Sequence, residues 1–138
     1  MNIFEECPSL QNITVPFLGA QKELTMDIPY SLGYFFSESN SDTVNYYSAL
    51  QYIWGEAKTF YIPRALTSLT VLDGDIGVNA LRNCISLTKV ELKGSAEIRT
   101  AAISGCTNLT ELILSETFNS WILTDKGNYP MCYEPMRF

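Results

Sequence analysis

The sequence predicts a β-rich solenoid of the α/β class, wound from coils of about 22 residues that carry short parallel strands. Three observations lead there. The stretch 79–92, NALRNCISLTKVEL, returns 22 positions later as AAISGCTNLTELIL at 101–114. A third copy opens the chain, with Phe4, Cys7, Leu10, Ile13 and Val15 in the corresponding slots. In all three copies the cysteine is followed at +3, +6 and +8 by an aliphatic residue. Self-similarity at such a period marks a stack of equivalent units, none of which can bury its apolar face alone.

Each slot has a physical reading. Val90 and Leu92, like Leu112 and Leu114, lie two apart, so both side chains of a pair point to one face of a short strand. Leu87 and Leu109 lead into those strands, and Cys84 and Cys106 stand a turn earlier. Ahead of them, IGVNAL and IRTAAI fit a brief helical or 3-10 turn that carries Ile76 with Ala80, or Ile98 with Ala102, inward. One coil is then a strand on one side and an irregular return on the other. Successive strands would pair in parallel at about 4.8 Å.

The pattern Ile-x-x-x-Ala-(Leu/Ile)-x-x-Cys-x-x-Leu-x-x-(Val/Leu)-x-Leu resembles the BspA-type leucine-rich repeat, in which Phe is usual where Leu81 and Ile103 stand; Phe4 keeps that aromatic. The segment LGYFF at 32–36, a polar insertion, and YIPRALTSLTV at 61–71 also resemble a feature that recurs in that family's arrays. The likeness covers about residues 1–116. It departs from the pattern in three places: the middle coil lacks its cysteine, Glu6 replaces the turn-prone residue seen as Asn83 and Gly105, and 117–138 match nothing in the motif. The resemblance implies a right-handed leucine-rich-repeat solenoid of four or five coils, in a bacterial surface-exposed or secreted protein with a role in adhesion.

Between the clear repeats, Ile13-Thr-Val15-Pro16 is echoed by Phe60-Tyr-Ile62-Pro63, a strand stopped by proline. Val15 and Ile62 lie 47 residues apart, about two coils and a little more. FFSESNSDTVNYY has the Ser/Asn/Asp content of an exposed loop. TSLTVLDGD reads either as a rung of its own, with Leu66, Leu69 and Val71 lying 21 residues before Leu87, Val90 and Leu92, or as a strand added within a widened coil.

Ten of the seventeen aromatic residues fall within 30–61. Exposed, Tyr46, Tyr47, Tyr52 and Trp54 would make a platform for a sugar or peptide. Buried, the same rings would be the insertion's own small core, which is the more common use. After the repeats, Asp125-Lys-Gly-Asn128 fits a hairpin turn, and Trp121, Ile122 and Leu123 would pack on the last coil as a cap. The predicted organisation is one domain over 1–138: a partial first repeat at 4–16, irregular coils with the insertion at 17–63, repeats at 64–116 and a cap at 117–138. Phe4 follows closely on Met1, which predicts a segment of a longer array or an edge used for self-association.

Composition narrows the functions. Nine basic residues against fifteen acidic ones give a net charge of −6, without the basic stripe that nucleic acid requires. No apolar run approaches the ~20 residues that span a bilayer. The amino terminus carries acids where a leader has Lys or Arg, so either the chain is cytosolic or a leader and further sequence lie outside this one. Histidine is absent, which removes the commonest general base and metal ligand. Cys84 and Cys106 stand in the apolar frame of the motif, on adjacent rungs about 5 Å apart; a disulfide is conceivable there, and buried reduced thiols are expected. Asp73-Gly-Asp75 lacks the spacing of a calcium loop and reads as a polar turn. Asn12-Ile-Thr14 and Asn108-Leu-Thr110 match the glycosylation sequon, which matters only in a eukaryotic secretory route. No catalytic residue, metal or cofactor is predicted.

The remaining candidate surface is the outward strand face. If Val90 and Leu92 point in, then Lys89, Glu91 and Lys93 point out, with Glu111 and Ile113 beside them, and Thr70 and Leu72 as well if 68–71 is a rung. The expected function is a protein- or glycan-binding segment whose partner lies on a host or neighbouring cell. The alternative is a structural spacer with no ligand.

Overall fold

The computed structural model describes residues 4, 6–19, 31–53, 56–74, 76, 77, 79–94 and 102–114, without the side chains of Tyr52 and Ile53. Six strands and one 3-10 turn lie among them: β1 (Asn12–Val15), the turn Leu32–Phe35, β2 (Tyr46–Ile53), β3 (Glu56–Pro63), β4 (Ser68–Val71), β5 (Lys89–Leu92) and β6 (Glu111–Leu114). The strands β1, β4, β5 and β6 form one parallel sheet in that order, and β2 and β3 form a separate antiparallel pair.

The parallel register is that of the repeat. Val90 faces Leu112 and Leu92 faces Leu114, as the shift of 22 requires. Leu69 and Val71 face Val90 and Leu92 on one side, and Ile13 and Val15 on the other. These two apolar rows turn inward and, apart from half-buried Leu114, are at most 6% exposed. Each coil enters its strand by the same turn bonds: Leu10 N donates to Cys7 O, Leu87 N to Cys84 O, and Leu109 N to Cys106 O. Leu66 N donates to Pro63 O in the same way. Pro63 therefore holds the cysteine slot of the β4 coil, with Leu66, Leu69 and Val71 at its +3, +6 and +8 positions.

Both readings of TSLTVLDGD thus contain part of the answer. The segment is a rung, paired directly with β1 and β5, and its coil is a widened one. Leu32 N donates to Ala80 O at 2.9 Å, as Leu81 N donates to Ala102 O at 2.7 Å, so the 3-10 turn takes the return-side place in the β4 coil. The extra length between that turn and β4 is spent on the hairpin. Phe60–Pro63 looks like Ile13–Pro16 in sequence but is not a rung. Its backbone is taken by β2, with Phe60 opposite Ala49 and Pro63 opposite Tyr46. The stretch read as an exposed loop is one only in its middle. Phe35, Phe36, Tyr46 and Tyr47 at its ends are buried.

The return turns explain a second sequence feature. Asn83 and Gly105, in the slot before the cysteine, have φ of 63° and 81°. Only glycine, and with some cost Asn or Asp, takes that left-handed conformation readily. A Cβ on Gly105 would also overlap the Asn83 side chain of the coil beneath. The turns 79–84 and 102–106 are chains of single turns, with no helix in either. Ile76, Ala80 and Ala102 are buried as expected, whereas Ile98 lies outside the described residues, as does the cap expected at 117–138.

Candidate functional site

The residues that alternate with the core rows form the outward face of the sheet. Asn12, Ser68, Lys89 and Glu111 make one row across the four strands. Thr14, Thr70, Glu91 and Ile113 make the next. Leu72 N donates to Val15 O and Lys93 N to Val71 O, each at 3.0 Å, so the ladder runs one residue past the strands. Leu72 is 45% exposed there, and Lys93 is exposed as well. All seven strand-face candidates (Thr70, Leu72, Lys89, Glu91, Lys93, Glu111 and Ile113) therefore lie on one side of one sheet. The face has two halves: small uncharged Asn, Ser and Thr on β1 and β4, and mixed charge with Ile113 on β5 and β6. Lys89 stands directly opposite Glu111.

The aromatic candidates fare differently. Tyr46 and Tyr47 are 5% and 6% exposed, so both rings serve as core, the more common of the two uses, and neither offers a platform. Neighbours in a strand point to opposite sides, and each tyrosine uses that to tie the hairpin to a different coil. The Tyr47 hydroxyl shares a 2.9 Å hydrogen bond with Ser86 Oγ, while the Tyr46 hydroxyl accepts one from the Cys7 backbone. Burial pushes both phenols above their ordinary range. Trp54 and the Tyr52 side chain lie outside what the structure describes.

Gln51 is the residue the sequence reading missed. It is fully buried on β2. Its Oε1 accepts from Gly33 N at 2.9 Å, and its Nε2 donates to Arg82 O at 2.9 Å and to Cys84 Sγ at 3.2 Å. One side-chain amide thus bridges the 3-10 turn and the next coil, as a backbone peptide would in a regular stack. Asn83 Nδ2 adds a bond of 3.0 Å to Leu50 O. Gly33 lies so close beneath Phe60 that a Cβ there would overlap the ring. A lone Gln in a strand gives no signal of such a role, because its partners lie 18 to 33 residues away.

A second omission was legible. Thr67, Thr88 and Thr110 all stand four residues after the cysteine slot. Thr88 Oγ1 donates to Thr67 O at 3.2 Å and Thr110 Oγ1 to Thr88 O at 3.3 Å, forming a short ladder beside the strands. Asn108, in the second sequon, donates from Nδ2 to Ile85 O at 2.7 Å, while Leu109 is buried behind it.

Cys84 and Cys106 are fully buried free thiols. Cys106 Sγ donates to Leu81 O at 3.1 Å. Burial pushes the Cys84 thiol up to about 12, against a smaller opposing pull from Gln51. A thiol so shifted and enclosed is a packing group, not a nucleophile. Cys132 and Asp75 lie outside the described residues. Among those residues, no group of three or more His, Cys, Asp or Glu side chains could hold a metal, and no helix is long and apolar enough to cross a membrane.

The repeating turn, inward cysteine and short parallel strand define a leucine-rich-repeat protein. The family described as the BspA type leucine rich repeat region (6 copies) matches residues 32–121, about two thirds of the chain, and the protein belongs to it. The match begins at the 3-10 turn; β1 joins the array through its register with β4. No curated protein and no solved structure matches the chain.

Proposed function

We propose that the chain is a non-catalytic binding module, a protein- or glycan-binding segment of a bacterial surface or secreted leucine-rich-repeat protein that serves adhesion. On this reading the stack is a right-handed solenoid of coils near 22 residues. The observation that carries it is the outward face: four in-register strands set Thr70, Leu72, Lys89, Glu91, Lys93, Glu111 and Ile113 on one plane. A regular array of side chains on a stiff scaffold is the surface that solenoids use for partners. Mixed charge around Leu72 and Ile113 suits a protein partner, where apolar contacts supply affinity and charges supply register.

The test is a screen of the whole chain against immobilised matrix proteins and a glycan array. Any ligand found should then be tried against the charge-reversing set Lys89→Glu, Glu91→Lys, Lys93→Glu. Loss of binding by at least tenfold is expected, and an unchanged affinity would remove the strand face from the proposal. A structural spacer is the second reading. It is favoured by the burial of the motif positions described between β4 and β6, and a screen that yields no partner at all would select it.

A further inference from the structure

An open cleft of about 560 Å³ is lined by Glu6, Ser37, Ser39, Asn40 and Ser41, none of them a strand-face residue. One wall is the turn ahead of β1, which carries Glu6. The other is the loop from the 3-10 turn to β2. The two walls are fixed to each other. Phe4 N donates to Phe35 O at 2.9 Å, and the Cys7 backbone, next to Glu6, donates to the Tyr46 hydroxyl at the far end of the loop. Tyr61 N donates to Ser37 O at 2.9 Å, which ties the loop to β3. Within the loop, the Asp42 carboxylate accepts from Val44 N, Asn45 N and Asn45 Nδ2, and Asn40 Oδ1 accepts from Asp42 N. These bonds hold Asp42 below the usual carboxylate range, with Asn45 the main cause. The loop is long and polar, yet its shape is set before any ligand arrives, which lowers the cost of binding.

The lining chemistry narrows the ligand. Among the described residues the lining is one carboxylate, three serines and one carboxamide. A phosphate or nucleotide needs cations or a cradle of N–H groups, and Glu6 would repel it. Calcium usually takes several carboxylates among its six to eight oxygens, and the described lining offers one. An apolar peptide side chain would find no apolar side chain among the described lining residues. What fits is a neutral ligand dense in hydroxyls, for which the Glu6 carboxylate accepts, the Asn40 amide N–H donates, and the Ser39 and Ser41 hydroxyls donate and accept; the Ser37 hydroxyl is already bonded to the Ser39 backbone. The volume lies within the ~300–1,000 Å³ of small-molecule sites and admits several sugar rings.

We propose that this cleft binds a short neutral oligosaccharide. The proposal rests on the binding-module reading and gives it a glycan site separate from the strand face. With no aromatic ring among the described lining residues, the affinity should be near millimolar, so nuclear magnetic resonance is the suitable probe. The isotope-labelled whole chain would be titrated with maltotriose, triacetylchitotriose and xylotriose. At least one should shift the amides of Glu6, Ser39, Asn40 and Ser41. Ser41→Trp, which fills the cleft, and Glu6→Ala should each weaken that binding at least tenfold, with the circular dichroism of both unchanged. If none of the three sugars moves these amides, or if both variants bind as before, the proposal is overturned. Sugar-induced shifts at Thr70, Lys89 and Glu91 instead would overturn the cleft and leave the binding module standing. A protein ligand lost on charge reversal of the strand face, with the cleft silent, would do the same. No ligand at either surface would end both readings.

Discussion

The stack of coils and the hairpin set into it bury similar side chains but are fastened by different means. Between the coils of β5 and β6 the Cys106, Asn108 and Thr110 side chains add bonds, but the main joints are backbone to backbone: Leu81 N to Ala102 O, Asn83 N to Ser104 O, and the strand ladder itself. Any residue with a suitable φ can make them, so they tolerate a change of side chain. The hairpin reaches the neighbouring coil mainly through side chains: Gln51 to Arg82 and Cys84, Tyr47 to Ser86, and Asn83 to Leu50. Those joints depend on single residues. The difference teaches that an insertion can interrupt a repeat array when its side chains supply the hydrogen bonds that the missing backbone would have made.

Substitutions should separate the two regions, and the largest effect belongs to the stack. Leu87 is fully buried at the entry to β5. Leu87→Ala should cost about 2–5 kcal/mol through lost transfer energy and the cavity left behind, read as a lowered midpoint in urea unfolding. A loss below 1 kcal/mol would mean that the coil collapses around the gap and is not the close-packed unit described.

Gln51→Leu comes next. It keeps an aliphatic volume but leaves Gly33 N and Arg82 O without their buried partner, at about 1–3 kcal/mol. The hairpin should loosen before the stack does, so faster amide exchange over β2 and β3 than over β5 and β6 is expected. Equal acceleration everywhere would show that the two regions are one cooperative unit.

High pH acts on the same joint. Cys84 is raised from an ordinary 9.0 to about 12 by burial, so the unfolded chain releases this proton before the folded one does. Its contribution is complete below about pH 9 and is lost as pH rises toward 12, at about 1.4 kcal/mol per pH unit. Unfolding midpoints should therefore be flat around neutrality and fall above pH 9, with a shallower fall in Cys84→Ala. Tyr47 is shifted in the same direction and should keep part of the slope in that variant.

The stack was legible in the sequence because its causes are local. Leu87, Val90 and Leu92 repeat as Leu109, Leu112 and Leu114, and a period of two fixes which of them face the core. The β4 rung was legible too, once Pro63 is placed in the cysteine slot. The hairpin was hidden for a physical reason. Phe60-Tyr-Ile62-Pro63 carries the same alternation as a true rung, and only the competing pairing with Tyr46–Ala49 decides which sheet receives it. The strand face followed from the register. The burial of Tyr46 and Tyr47 did not, since composition gives the number of rings in an insertion but not whether another coil lies above them.

The smallest effect tests the face itself. Lys89 and Glu111 are Cα partners on adjacent strands, both half-buried, in a row that continues through Ser68 to Asn12. An exposed cross-strand pair of opposite charge is worth roughly 0.2–1 kcal/mol, and salt screens it. A double-mutant cycle of Lys89→Ala and Glu111→Ala should give a coupling below about 1 kcal/mol that shrinks further at high ionic strength. The two single variants should also leave the slow exchange of β5 and β6 in place, because the backbone ladder does not need either side chain. A coupling well above that range would mean the pair is shielded from water, and the face it belongs to would then be covered by something other than solvent.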